Sequence, residues 1–455
     1  MIDMKKNKRI LLIFFGIIFI FGLALGVGYL HETKNSKKNV DTKLEESKNE
    51  DPQEEKKEEE LQPEEKKEEQ KEPILDIDVN IEQVIADYDL EVIRSSIMED
   101  QEYFKWFADA IIKNDKIASD YKRYVFLQYK PVMANKKYLK KDRFLASVKE
   151  LTISDSSQNI VNGALGVYRD YDTSIIIGNG MKKDVLMHEL MHFLDWRLGM
   201  GNSSVVYKVG NTYGVTTDDS SAEVLVLPYG KLIVEGGAEM NAVRYHNYMV
   251  PGGHYAYLMD IYNLLAIIFG ENFMNDVYFS GDGNARLFVE MNKYGVTFEE
   301  YKTFMENLDY MSVEENFVGR VEKSEADYFL EGLVFVSNLY NKKNGHDWVD
   351  DKVFANVMRF AVKGDYLAFS KLGTSGFSGK QKAAINVEIN TNVFQQEVDK
   401  GLHSNYYTYT NYLLNGKNYI VIPYLLNGTY DPFYEYIFEY DMVNDKVISK
   451  SFIVV

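Results

Sequence analysis

Two histidines and a glutamate in the run His188-Glu189-Leu190-Met191-His192 have the types and the spacing to do chemistry. Residues four apart share one helix face, so both imidazoles can address a single metal ion. Glu189, beside the first of them, can then take a proton from a water that the metal has made acidic. With 7 His in 455 residues, such a run is expected by chance roughly 0.01 times in a chain of this length. The plain alternative is a buried amphipathic helix carrying two hydrogen-bonded histidines.

Two imidazoles and a water leave a zinc-type site one protein ligand short. Glu235, in Ile233-Val234-Glu235-Gly236-Gly237-Ala238-Glu239, is the best candidate, on what reads as a second helix or its first turn. Glu239 faces the same way one turn later, where it could accept the outer ring N–H of a ligating histidine. Gly236 and Gly237 would let this helix approach the first one closely. Asp195 competes as a ligand, since it shares the face of His188 and His192. Three ligands strung along ~10 Å of straight helix do not converge on one small ion, however. Asp195 is therefore expected to fix a neighbouring group.

The elements that must position these residues are also legible. Ala164–Val167 and Thr173–Ile177 are apolar and β-branched runs around a polar stretch, which predicts a hairpin closed by Gly178-Asn179-Gly180. Its exposed edge could hold a peptide through main-chain hydrogen bonds, or the Ile run could be a buried central strand. Val185, Leu186, Leu190, Met191 and Leu194 then supply the apolar surface of a helix, with Gly199 as a left-handed stop.

Together these residues resemble the gluzincin zinc metallopeptidases, which pair an HExxH helix with a downstream glutamate. Glu235–Glu239 is similar to the E-G-x-A-E helix of several gluzincin families. His188–Gly199 is similar to the HExxHxxDxxxG pattern of the anthrax lethal factor and Pro-Pro endopeptidase group. There too a later glutamate is the ligand, with another one helical turn further on. The resemblance covers roughly residues 160–245. It implies a two-lobed α+β zincin domain with one Zn2+ on His188, His192 and Glu235, and Glu189 as general base. That group carries a tyrosine shortly before the ligand, which implies a role for Tyr229. A phenol there can donate a hydrogen bond to a carbonyl oxygen as it gains charge. With 34 Tyr in the chain, an uninvolved tyrosine nearby is equally expected. His254, in Pro251-Gly252-Gly253-His254-Tyr255, is an alternative donor, and His246 reads as a helix-surface residue.

Away from the site, Lys5, Lys6, Lys8 and Arg9 precede an uncharged apolar run from Ile10 to Leu30. About 20 such residues span a bilayer, and the basic flank predicts an uncleaved signal-anchor with the rest of the chain outside. A cleavable signal peptide is the rival. Residues 31–73 are Glu/Lys-rich and nearly free of apolar side chains, which makes them a solvated tether. Of the net charge of −18, −15 falls on residues 74–455, which argues against nucleic acid and anionic lipid as partners of the body and mildly favours basic peptides. There is no Cys, so the body must rely on packed cores. The composition, rich in Lys and Asn, is that of a surface protein of a Gram-positive bacterium.

Residues 74–150 and 240–372 read as mainly helical, for example Glu99–Ala118, Tyr257–Leu265 and Tyr328–Tyr340. Beyond residue 376, aromatic and β-branched runs surround Asn415-Gly416 and Asn444-Asp445, which predicts antiparallel hairpins. The expected organisation is an anchor (1–30), a spacer (31–73), a metallopeptidase domain (74–376) and a C-terminal antiparallel β module (377–455). That module could bind substrate or cell-envelope material, or only cover the peptidase. The expected activity is extracytoplasmic zinc-dependent peptide hydrolysis. A catalytically silent surface binding or sensor protein is the alternative, and an aminopeptidase the alternative among enzymes.

Overall fold

The computed structural model describes residues 78–155, 165–178, 183–199, 205–246, 255–311, 323–389, 410–425 and 433–454. The expected membrane segment and spacer lie outside them. No helix among the described residues is long and apolar enough to cross a membrane.

Helices come first: α1 (Ile81–Asp87), α2 (Arg94–Glu99), α3 (Gln101–Lys113), α4 (Ser119–Leu127), α5 (Tyr129–Ala134) and α6 (Lys141–Glu150). The Asp100 side chain caps α3 by accepting the Tyr103 N–H, and Phe104, Phe107 and Ile111 bury its apolar face. A three-stranded sheet follows, from β1 (Thr152–Asp155), β2 (Gly166–Arg169) and β3 (Ser174–Ile177), in the order β1-β3-β2. β1 runs parallel to β3, and β2 and β3 form the expected hairpin. Ile175 and Ile177 are buried, so β3 is the central strand and β2 an edge.

The metal-type motif lies in α7 (Lys183–Leu194), which continues as a π-helical turn, Asp195–Gly199. A second small sheet, β4 (Val205–Val209), β5 (Thr212–Gly214) and β6 (Glu223–Val226), separates it from another π turn, Leu232–Gly236, and α8 (Gly237–His246). Gly199 is not left-handed. A Cβ there would meet the Phe279 carbonyl oxygen at 2.6 Å, so close approach explains the glycine. Likewise Gly236 and Gly237 face away from α7: their missing side chains make room for the Leu258 backbone and the Tyr278 ring.

The remaining helices are α9 (Ala256–Phe269), α10 (Glu271–Phe279), α11 (Gly283–Asn292), α12 (Phe298–Tyr310), α13 (Glu325–Asn344), α14 (Lys352–Gly364), α15 (Tyr366–Lys371) and α16 (Gly379–Asn386). The start of the expected β module is thus helical, where α16 takes a capping box from Ser378 and Gln381. Strands β7 (Thr410–Leu414), β8 (Lys417–Leu425), β9 (Phe433–Asp441) and β10 (Lys446–Val454) make an antiparallel sheet in the order β10-β9-β8-β7. Asn415 and Gly416, at φ 52° and 74°, turn the β7–β8 hairpin. Tyr412, Ile420 and Phe438 of this sheet join the same apolar core as the helices. Two polar grips add to that. Asp260 and Asn263 of α9 bond Asn411 of β7, and Glu271 accepts the N–H groups of Asn415 and Gly416. The chain is an α+β protein.

Candidate metal centre

The centre is assembled by α7 and α8, which pack against each other. Val185, Leu186, Leu190, Met191 and Leu194 are buried as their spacing predicts, and they carry His188 and Glu189 inside with them. Both helices hold a π turn beside the site. One starts three residues beyond His192, and the other contains Glu235. Such turns widen a helix by one residue and re-aim side chains. The approach to Glu235 is fixed from α12, where the Asp309 carboxylate accepts the Gly230 and Lys231 N–H groups at 3.3 and 2.7 Å.

Three donor atoms converge. His188 Nε2 and His192 Nε2 stand 3.0 Å apart, and Glu235 Oε2 lies 3.2 and 3.3 Å from them. Ligands at about 2.05 Å from a tetrahedral zinc stand about 3.3 Å from one another, so this triangle has the size of one face of such a site. Among the described residues, it is the one group of three that could hold a metal ion.

Behind the triangle, Glu239 Oε2 lies 3.0 Å from His188 Nδ1. A carboxylate there accepts the Nδ1 proton, which turns the Nε2 lone pair inward. His188 Nε2 and the Glu235 carboxylate are then two acceptors facing each other at 3.2 Å. Positive charge between them relieves this, whether a metal cation or a proton. The electrostatics agree. Burial opposes a charged His188, yet its bonds to Glu235 and Glu239 raise the imidazole well above its ordinary value. Burial also opposes the Glu235 anion, but His192 and His188 outweigh it and hold the carboxyl far below the usual range.

Glu189 points elsewhere. It is buried, and burial raises its carboxyl, with His192 and His188 pulling it partly back. Gly166 makes the space: a Cβ there would stand 3.0 Å from Glu189 Oε1 and 2.4 Å from Val185 Cγ1. The strand's parity fits. Gly178 N–H bonds the Leu165 carbonyl across the hairpin, so Gly166 and Tyr168 turn their backbone groups to the free edge of β2. That edge borders Glu189.

Asp195 is not one of the converging atoms. It is buried, its Oδ1 has no hydrogen-bond partner among the described residues, and burial lifts it to about 7 against the pull of His192. Tyr229 is 61 % exposed, on a loop held by the Asn284 bond to the Pro228 carbonyl. Partial burial of its hydroxyl end, then Glu235 and Asp195, push the phenol to about 12. His254 lies outside the described residues. His246 is half-buried: its Nε2 is buried with no hydrogen-bond partner among the described residues, and burial, helped by Lys130, lowers it to about 3.

The residue that sequence reasoning missed is Tyr255. Its ring lies parallel to that of His188, with centroids 5.3 Å apart and 7° between planes, and burial, then the charge of Glu235, raises its phenol. The only signal was its place beside His254 in a Gly-rich stretch. No family model, curated protein or solved structure matches this chain.

Proposed function

We propose that the chain is a zinc metallopeptidase that hydrolyses peptide bonds outside the cell membrane. The observation that carries this reading is the partly buried triangle of His188, His192 and Glu235 donor atoms, 3.0 to 3.3 Å on a side. Two imidazoles and a carboxylate are a donor set suited to zinc with an open fourth position. A zinc ion held there supplies Lewis acidity, which acidifies a water and polarises a carbonyl.

The chain's own residues do the rest. Glu239 fixes the His188 ring and raises its basicity as a ligand. Glu189, whose carboxyl burial raises, takes the proton of the attacking water and delivers it to the leaving amine. The free edge of β2, next to Glu189, supports an extended peptide as substrate, since main-chain groups can pair with it as a further strand. Tyr229, or His254 in its place, would donate to the carbonyl oxygen as charge builds.

The test is a peptide-library screen of the purified chain, with zinc content measured beside it. Glu189→Gln should keep zinc and lose turnover, and retained hydrolysis would refute the general-base role. The anchor belongs to the same proposal. Residues 10–30 should keep the chain in the membrane fraction through a carbonate wash, and deletion of residues 1–30 should release it.

A further inference from the structure

The turn that carries Glu235 has no cap of its own. The π-helical stretch Leu232–Gly236 follows Lys231, whose side chain makes no cap bond. Its start is held instead from two helices far along the chain. The Asp309 carboxylate of α12 accepts the Lys231 N–H at 2.7 Å with one oxygen and the Gly230 N–H at 3.3 Å with the other. On α11, Asn284 Nδ2 gives to the Pro228 carbonyl at 2.8 Å, while Asn284 Oδ1 accepts the Tyr301 hydroxyl at 2.6 Å. Asn284 and Tyr301 are both fully buried. Gly230 suits this grip, since its φ is +84° and a Cβ would stand 2.9 Å from Asn284 Nδ2.

The grip reaches the site through backbone groups. The Gly230 carbonyl accepts the Ile233 and Val234 N–H groups at 2.9 and 3.1 Å. Glu235 comes next, with its Oε2 3.2 and 3.3 Å from the Nε2 atoms of His188 and His192. The first N–H groups of a helix have no partner within it, and a carboxylate set against them satisfies them and complements the helix dipole. Where a helix starts also decides where its later side chains point, because one residue of slip turns a side chain by about 100°. A π turn holds one residue more than an α turn and is a rare winding, so its register needs a fixed start. We infer that Asp309 is a positioning residue for the metal site. It is a cap lent by α12, which sets the register of the Glu235 turn and so aims the carboxylate at His188 and His192. This rests on the zinc reading above.

Three substitutions in the full chain test the role. Asp309→Ala removes both acceptors. Asp309→Asn keeps an oxygen for the Lys231 N–H but sets an amide nitrogen against that of Gly230. Asn411→Ala, in the polar contact between α9 and β7, is a control for lost stability elsewhere. Zinc affinity is read by competition with a chromophoric chelator, well below the melting temperature. The shape of the site is read from the visible spectrum of Co2+ bound in place of zinc. The expected result is zinc binding about tenfold weaker in Asp309→Ala, the scale of a lost helix cap, with an altered Co2+ spectrum. Asp309→Asn should lose less, and Asn411→Ala should keep the wild-type Kd. An unchanged zinc Kd in Asp309→Ala overturns the inference, and should that variant fail to fold, an unchanged Kd in Asp309→Asn does so equally. A Kd that weakens in step with melting temperature in the Asp309 and Asn411 variants alike marks general packing and overturns it too. Wild-type chain that binds no zinc, or whose zinc survives Glu235→Ala, overturns the zinc reading itself and this inference with it.

Discussion

Two clusters of polar side chains are buried in this core, and they are built in opposite ways. At the junction of α9 and β7, donors meet acceptors: Asn263 Nδ2 gives to Asn411 Oδ1, Asn411 Nδ2 to Asp260 Oδ1, and the Leu413 N–H to Asn263 Oδ1. At the candidate metal centre, His188 Nε2, His192 Nε2 and Glu235 Oε2 converge, and with the His188 Nδ1 proton given to Glu239 only a proton or a cation can join them. A paired cluster satisfies itself and specifies how elements dock. A cluster of converging acceptors is costly until a proton or a cation enters, and burial makes it more so. Buried polarity therefore satisfies itself in one place and needs an added positive charge in the other, which is what the proposed metal site would supply.

This contrast is open to attack at both ends. Glu189→Gln keeps the size of the side chain and removes the base, so kcat should fall by about 10²- to 10⁴-fold with zinc content unchanged. A fall in zinc content instead would place Glu189 among the ligands. Glu239→Gln should weaken zinc binding by about tenfold through loss of the charged partner of His188. Chelator titration checks this, and equal affinity would make Glu239 a bystander. In the paired cluster, Asn411→Ala leaves Asn263 Nδ2 with only the residue 411 backbone carbonyl at 3.4 Å and takes a donor from Asp260. It should cost about 2 kcal/mol of stability in denaturant unfolding without altering kcat at saturating zinc. A loss of catalysis at full zinc occupancy would mean that the two clusters are coupled more tightly than this contrast allows.

The smallest effect is a pH dependence. Burial raises the Asp260 carboxyl well above its ordinary value, and Asp365 adds to this against the backbone bond from Asn411. A raised acid binds its proton more tightly folded than unfolded. Its contribution to stability is therefore full below about pH 3.9, the unfolded value, and fades as pH climbs toward the folded one. Asp260→Asn removes that slope, so the variant should gain on the wild type as pH rises from 5 to 8. Parallel melting curves of the two across that range would contradict it.

Much of the candidate site is legible because helical periodicity is local. His188 with His192, and Glu235 with Glu239, are each one turn apart, and the structure brings all four together. The hairpins around Asp170 and around Asn415-Gly416 are legible for the same reason, since turn chemistry is written within a few residues. What stays hidden is non-local. A glycine announces a close neighbour without naming it, so Gly236 and Gly237 pointed to α7 when the neighbours are α9 and α10. The π turns leave no mark in the apolar pattern. Tyr255 lies 67 positions from His188 in a chain with 34 Tyr, and only the packing of α9 on Gly236 selects it. The α9–β7 cluster joins residues about 150 positions apart, where no pattern in the chain can pair Asp260 with Asn411.

The central claim is that three converging atoms hold one zinc ion. The direct measurement is metal content by mass spectrometry in the purified chain and in Glu235→Ala, after exposure to equal zinc and exhaustive dialysis. The account predicts about one zinc per wild-type chain and almost none in a variant that still folds. A wild-type chain that takes up no zinc, or a folded variant that keeps it, would contradict the account.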